Sequence, residues 1–166
     1  RNPGATVDDV VAASGVSRAT FFRCFSNRTA LLRAVATAAV GDLQQALTEV
    51  TALDGHAGVA PRLSAILAVL IAHGEHLRFL ASAVDLYEDP AIAAAAGEAD
   101  KVIAPIIDDA VRAGILRDDL PRAWLWAATD ALVFAAWHEV SVGRLARNDA
   151  ARVVEDTLLA GFGRRR

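Results

Sequence analysis

The stretch that decides the fold covers residues 6–32 and reads TVDDVVAASGVSRATFFRCFSNRTALL. Thr6 and Ser17 are residue types that favour helix N-caps, and the three residues centred on Gly15 favour a tight turn. The two helices that these signals predict are too short to be stable alone, so packing must hold them together. Two short helices joined by a three-residue turn with glycine are typical of the helix-turn-helix motif.

The start of the second predicted helix carries chemistry suited to DNA. In helix-turn-helix proteins this helix lies in the major groove with its first residues towards the base edges. Its exposed backbone N–H groups and the positive end of its dipole favour phosphate. The residues concerned are Ser17, Arg18, Ala19 and Thr20, with Arg23 and Arg28 adding positive charge beside them.

An apolar face should fix this second helix in place. Phe21 and Phe25 are four residues apart and therefore share one side of the helix. We expect them to pack on Val7, Val10, and Leu31 or Leu32. The alternative for residues 6–32 is a surface hairpin of an ordinary helical protein whose arginines only solvate it. Matching caps, turn and charge favour the DNA-binding interpretation.

Charge is distributed unevenly along the chain. Five arginines against Asp8 and Asp9 give residues 1–33 a net charge of +3, whereas twelve basic against eighteen acidic residues give the remainder −6. A basic segment on an acidic body indicates a module that binds a polyanion.

Composition predicts an all-α protein. Alanine accounts for 37 of the 166 residues, and no strand-length stretch alternates apolar with polar residues. The longest apolar run, 65–72, is far shorter than the ~20 residues that span a membrane. The single Cys24 cannot form an intrachain disulfide, so a reducing cytoplasm is the expected compartment.

Caps, glycines and prolines divide the chain into predicted helices. They cover about 7–13, 18–25, 28–51, 61–73, 75–87, 91–113 with weak points at Gly97 and Pro105, 121–143, and a last one capped by Asn148 or Asp149 and ending near Phe162. Gly114 stands where a helix stop needs a left-handed residue. We place a DNA-binding domain at 1–33, continuous with a linking helix to about 51, and a second domain at 34–166.

Residues 6–32 resemble the DNA-binding segment of the TetR family of bacterial transcriptional repressors. More loosely, 113–121 resembles the connection before the family's eighth helix, and Leu158, Leu159, Gly161 and Phe162 resemble its last helix. The resemblance implies a helix-turn-helix head, a ligand-binding and dimerisation domain, and a homodimer formed by the last two helices. It also implies a first helix that precedes Arg1–Ala5 and is absent from the chain as given.

The resemblance assigns DNA-binding roles to Thr6, Ser17, Arg18, Ala19, Thr20, Phe22, Arg23 and Arg28. Thr6 would contact phosphate, and Arg28 would take the usual lysine position against the backbone. Phe22 stands where the family usually has Tyr, and Cys24 where Tyr or His is common. Two polar contacts to DNA are therefore weakened, and we expect Arg18 and Arg23 to compensate.

The helix over 121–143 contains all three tryptophans of the chain and a possible ligand site. Trp126, Asp130, Phe134 and Trp137 fall on one stripe, and Ala127, Ala128, Ala131 and Ala135 form a small-residue surface beside it. The opposite wall of a pocket would come from Phe79, Ser82, Asp85 and Tyr87. Ordinary core packing is the alternative for each aromatic residue, and an internal hydrogen bond or the dimer seam is the alternative for Asp130.

These features predict a cytoplasmic homodimeric repressor that leaves a palindromic operator when a small, largely apolar effector binds. The alternative is a helical small-molecule-binding or enzymatic protein whose helix-turn-helix no longer reads DNA. The sequence has no Gly-rich phosphate loop, nucleophile elbow or catalytic carboxylate pair, so we predict no enzyme, cofactor or metal site.

Overall fold

The computed structural model describes residues 6–53, 58–74 and 90–164. Their secondary structure is helical apart from one isolated antiparallel bridge between Leu116 and Gly163. Numbered along the described residues, the helices are α1 (Val7–Ser14), α2 (Arg18–Cys24), α3 (Arg28–Leu53), α4 (Val59–Ala72), α5 (Pro90–Arg112), α6 (Arg122–Ser141) and α7 (Arg147–Phe162). The all-α prediction is confirmed, and the predicted helix over 75–87 lies outside the described residues.

Local hydrogen bonds define the ends of α1 and α2. A capping box starts α1, because the Thr6 side chain accepts a bond from the Asp9 N–H while the Asp9 carboxylate accepts one from the Thr6 N–H. Gly15 ends α1 with φ of 70°, a left-handed conformation that glycine adopts without strain. Ser17 then caps α2 by accepting from the Thr20 N–H. The predicted caps and turn are confirmed.

Helix α3 joins the first two helices to the rest of the protein. The Asn27 side chain accepts a hydrogen bond from the Ala30 N–H, which fixes its start. Along one side, from its middle onward and one turn before, α3 buries Ala36, Ala39, Val40, Leu43 and Leu47. This side packs on α4 and α5. Helix α3 therefore connects the head, which is the helix-turn-helix of α1 and α2, to the body formed by α4 to α7.

The core of the body lies between α3, α4, α5, α6 and α7. Helix α4 is its centre, because it packs against each of the other four. Its buried side chains repeat at helical spacing and are Leu63, Ile66, Leu67, Leu70 and Ile71. Their burial excludes water from the contact surfaces and is the main favourable contribution to folding.

Helix α5 continues through both of its predicted weak points, Gly97 and Pro105. Proline removes one backbone N–H, which costs a helix a hydrogen bond. On either side of Pro105, Ile103, Ile106 and Ile107 are buried in the core, and this packing holds the helix in one piece. Gly114 follows its end with φ of 71°, as predicted.

The start of α7 differs from the prediction. The helix begins at Arg147 after Ala146, which offers no side-chain cap, whereas Asn148 or Asp149 was expected to cap it. The buried Ala150 packs in the core, so tertiary packing sets the start of the helix, and a local ion pair between Arg144 and Glu139 of α6 precedes it. Its other end is tied to the chain before α6 by the bonds Arg117 N–H to Phe162 O and Arg164 N–H to Ile115 O.

Candidate nucleic-acid interface and ligand site

Helix α2 is anchored on one side and open on the other. Phe21 is buried, with 3% of its surface exposed, and Phe25 contacts it at a ring-centroid distance of 5.4 Å. Around them, Val10 and Leu31 help to line an apolar cavity of ≈ 240 Å³. Phe21 and Phe25 line the same cavity, so the four side chains predicted to pack together surround one apolar space.

The open side of α2 presents most of the residues expected at DNA. Ser17, Arg18, Ala19, Phe22 and Arg23 are exposed, and Thr20 is half-buried. Thr6 at the start of α1 and Arg28 at the start of α3 are exposed as well. The hydroxyls of Thr6 and Ser17 already take part in caps, so their first role is to hold the helix ends.

Arg18 has two partners within the head. Its Nη1 atom lies 2.8 Å from a carboxylate oxygen of Asp8 on α1, and its guanidinium carbon lies 5.7 Å from the centre of the Phe22 ring. The second distance is within the range of a cation–π contact. Sequence spacing places Arg18 and Phe22 on one side of a helix, but the approach of Asp8 depends on the fold and was not predicted.

Asp9 shows how the cap affects charge. Hydrogen bonds from the side chain and the backbone of Thr6 lower the pKa of its carboxyl below the ordinary value of 3.8. These bonds favour the ionised form, which also interacts well with the positive end of α1.

The body residues proposed for ligand binding differ in how far their side chains are exposed to solvent. Trp137 is buried, Trp126 and Phe134 are half-buried, and Asp130 is exposed. Because Asp130 is exposed, burial gives no support to its assignment as a pocket carboxylate, and its ligand role stays a prediction. The proposed opposite wall, Phe79, Ser82, Asp85 and Tyr87, lies outside the described residues.

Trp137 packs against the chain just after α4. A Cβ atom added to Gly74 would lie 1.5 Å from Cδ1 of its ring. Only glycine therefore fits at this position while Trp137 keeps its place.

A second cavity, of ≈ 250 Å³, lies between α3, α4 and α5 and was not predicted from the sequence. It is lined by Thr51, Arg62, Ile66, Val102, Pro105, Ile106 and Asp109. Arg62 and Asp109 form an ion pair in which both side chains are mostly buried. They are 47 residues apart, so no local sequence pattern indicates the pair.

Residues 6–53, 58–74 and 90–164 contain neither a cluster of metal-ligating side chains nor a membrane-spanning helix. Within those ranges no three His, Cys, Asp or Glu side chains come together in a group suited to a metal ion. No helix there combines the length and the apolar character needed to cross a membrane.

A capped helix-turn-helix with an exposed, arginine-bearing second helix, joined to a helical body, defines a DNA-binding regulator of the helix-turn-helix class. Residues 3–35 match the family described as bacterial regulatory proteins, tetR family. The helix-turn-helix segment of the chain therefore matches that of the tetR family of bacterial regulatory proteins.

Solved structures share the fold. The TetR-like transcriptional regulator LfrR from Mycobacterium smegmatis, in complex with proflavine, superposes with a TM-score of 0.78 at 24% identity, over 97% of this chain and 88% of that one. A protein of unknown function from Rhodococcus sp. RHA1 gives 0.70 at 19% identity, over 97% and 86%. No curated protein matches the chain.

Proposed function

We propose that the protein is a homodimeric repressor that binds a palindromic operator and releases it when a small, largely apolar molecule binds in its body. The observation that carries the proposal is the exposed side of α2, with Arg18 at the start of the helix and Arg23 in its last turn. The length of α2 and its anchoring by Phe21 suit insertion into one major groove.

Dimerisation is supported by the outer side of α6. Trp124 and Val142 are 56% and 49% exposed, which is unusual for large apolar side chains on a soluble helix. Between them, Ala127, Ala131 and Ala135 are exposed along the same side. Small side chains permit close helix approach, so this side of α6 suits the same side of a second copy across a twofold axis.

The proposed effector site lies in the body beside Trp137. The cavity of ≈ 250 Å³ at Arg62 and Asp109 is below the usual range of ligand pockets, which begins at about 300 Å³. We keep the proposed effector by the aromatic residues Trp126, Phe134 and Trp137 of α6, with Asp130 as the candidate partner of a cationic ligand. Proflavine, which LfrR binds, is one aromatic compound to try.

A gel-shift with the DNA upstream of the protein's own gene tests the proposal. We expect a retarded complex that an excess of unrelated duplex does not remove. A protein that binds neither duplex would contradict the function, and binding that an unrelated duplex removes completely would contradict the operator.

The salt dependence of the same binding tests the phosphate contact of Arg28. Arg28→Ala should weaken binding to every duplex and reduce the slope of log K against log salt by about one. Arg112→Ala, the same change at an exposed arginine of the body, is the control and should leave the slope unchanged. An unchanged slope for Arg28→Ala would remove this residue from the phosphate contacts.

Tryptophan fluorescence tests the effector site. With Trp124→Phe and Trp126→Phe combined, emission comes from Trp137 alone, and a bound lipophilic compound should change it. Asp130→Asn should weaken the binding of cationic compounds and leave that of neutral ones unchanged. Compounds that release DNA without altering Trp137 emission would place the effector elsewhere.

A further inference from the structure

The two partners of Arg18 suggest how its side chain is prepared for DNA. Asp8 holds one edge of the guanidinium at 2.8 Å, and the Phe22 ring lies against it with its centre 5.7 Å from the guanidinium carbon. Both side chains of the ion pair remain about two-thirds exposed, at 66% and 64%. The guanidinium is therefore oriented while it stays accessible from solvent.

Phe22 is itself held in place. Its ring meets the buried Phe21 edge-on, with centroids 5.4 Å apart and planes at 83°. It is 44% exposed and has no hydroxyl group to offer a phosphate. Its contacts thus run from the anchored side of α2 to the guanidinium of Arg18.

Asp8 adds a second effect, because a carboxylate beside DNA repels the phosphates and neutralises the arginine next to it. Repulsive groups of this kind weaken binding to wrong partners more than to the right one. One ion pair through Nη1 uses at most two of the five N–H donors of a guanidinium. The remaining donors suit a planar acceptor pair, and guanine O6 and N7 are the base edge that arginine binds in this way.

We propose that Arg18 reads a guanine in the operator and that Phe22 and Asp8 are positioning residues that hold its guanidinium for this contact. The inference rests on the proposed function, since it requires that α2 enters the major groove. A pre-oriented side chain loses less conformational freedom on binding, so the contact gains affinity where the guanine is present.

The test selects duplexes from a randomised pool with the full-length protein, and then measures affinities for the selected duplex and for versions with each guanine replaced. We expect one guanine in each half-site whose replacement weakens wild-type binding about tenfold, as a bidentate contact does. Arg18→Ala should abolish that preference.

Matched variants separate the positioning residues from structural ones. Phe22→Leu should lower the guanine preference about two- to fivefold, the range of an exposed cation–π contact, whereas Phe22→Tyr keeps the ring and should retain the preference. Asp8→Asn should strengthen binding to unrelated duplex, steepen its salt dependence and reduce the guanine preference. In the unbound protein, the Arg18 Nε–H proton should show a ring-current shift that Phe22→Leu removes and Phe22→Tyr keeps.

The outcomes distinguish this inference from the proposed function. Salt-dependent duplex binding with a guanine preference that Phe22→Leu and Asp8→Asn leave intact would overturn the positioning roles and keep the regulator. A preference that survives Arg18→Ala would overturn the reading of guanine by Arg18. A wild-type protein that binds no duplex would overturn both proposals, even if the ring-current shift is present.

Discussion

At the scale of the residue, Gly74 is the position with the least room. Its missing side chain leaves space for the Trp137 ring, and a Cβ atom there would lie 1.5 Å from Cδ1. Gly74→Ala should therefore displace the ring and lower the free energy of unfolding by about 1–3 kcal/mol, the usual cost of overpacking. Denaturant titration followed by tryptophan emission measures both effects, and the emission should move to longer wavelength.

Gly41 provides the matched control for this substitution. It lies within α3, and an added Cβ would meet nothing within 4 Å. Gly41→Ala should raise the free energy of unfolding by about 0.5–1 kcal/mol, because alanine is the better helix former. If Gly74→Ala stabilised the protein as well, the packing of Trp137 on this glycine would be disproved.

Asp9 makes the first helix sensitive to acid. Its pKa is lowered in the folded protein by hydrogen bonds from Thr6, so its contribution to stability is present above the ordinary pKa of 3.8 and is lost as the pH falls through the lower folded value. The protection of the amides of residues 7–14 against exchange, relative to their intrinsic rate at each pH, should fall over about pH 5 to pH 2 in the wild type. Asp9→Asn should flatten this profile, and Asp42→Asn on α3 should not; equal profiles for Asp9→Asn and wild type would contradict the cap.

At the scale of the element, the Arg62–Asp109 pair joins α4 to α5. Asp109→Ala would leave a mostly buried guanidinium without this acceptor and should cost about 1–3 kcal/mol of unfolding free energy. Adding Arg62→Met to Asp109→Ala should recover part of the loss, since the charge is then removed. Chemical denaturation of both single variants and the double variant gives the coupling, and strictly additive losses would show that the two residues act independently.

Sequence patterns located the elements whose ends are determined locally. The caps at Thr6 and Ser17 and the left-handed glycines Gly15 and Gly114 are formed by neighbours in the chain, and all were predicted. The predicted cap of α7 was wrong, because the burial of Ala150 sets the start of this helix without a polar cap. Propensity cannot indicate such tertiary contacts.

The candidate site could be predicted only in part, for the same reason. Arg18 and Phe22 are one helical turn apart, and their spacing alone puts them together. Asp8 reaches Arg18 only once α1 and α2 have packed. In α6, apolar residues surround the helix, so periodicity could not show that Trp137 is buried whereas Trp124 and Asp130 are exposed.

At the scale of the whole molecule, the exposed side of α6 is the surface proposed for the dimer contact. Ala131→Arg would place a charge in the middle of the proposed dimer contact and should shift a wild-type dimer to monomer in sedimentation velocity. Operator affinity should fall with it, because two heads no longer bind together. Ala104→Arg, at an exposed alanine of α5, should leave the dimer intact. A dimer that survives Ala131→Arg would require a different interface.

The continuity of α3 has a mechanical consequence. Its 26 residues form a rod of about 39 Å at 1.5 Å per residue, clamped by α4 and α5 at one end and carrying α2 beyond the other. A tilt of about 5° at the clamped end moves the far end by about 3 Å over this length. This displacement is comparable with a hydrogen-bond length, so a small repacking of the body would suffice to take the guanidinium of Arg18 off the base edge proposed for it.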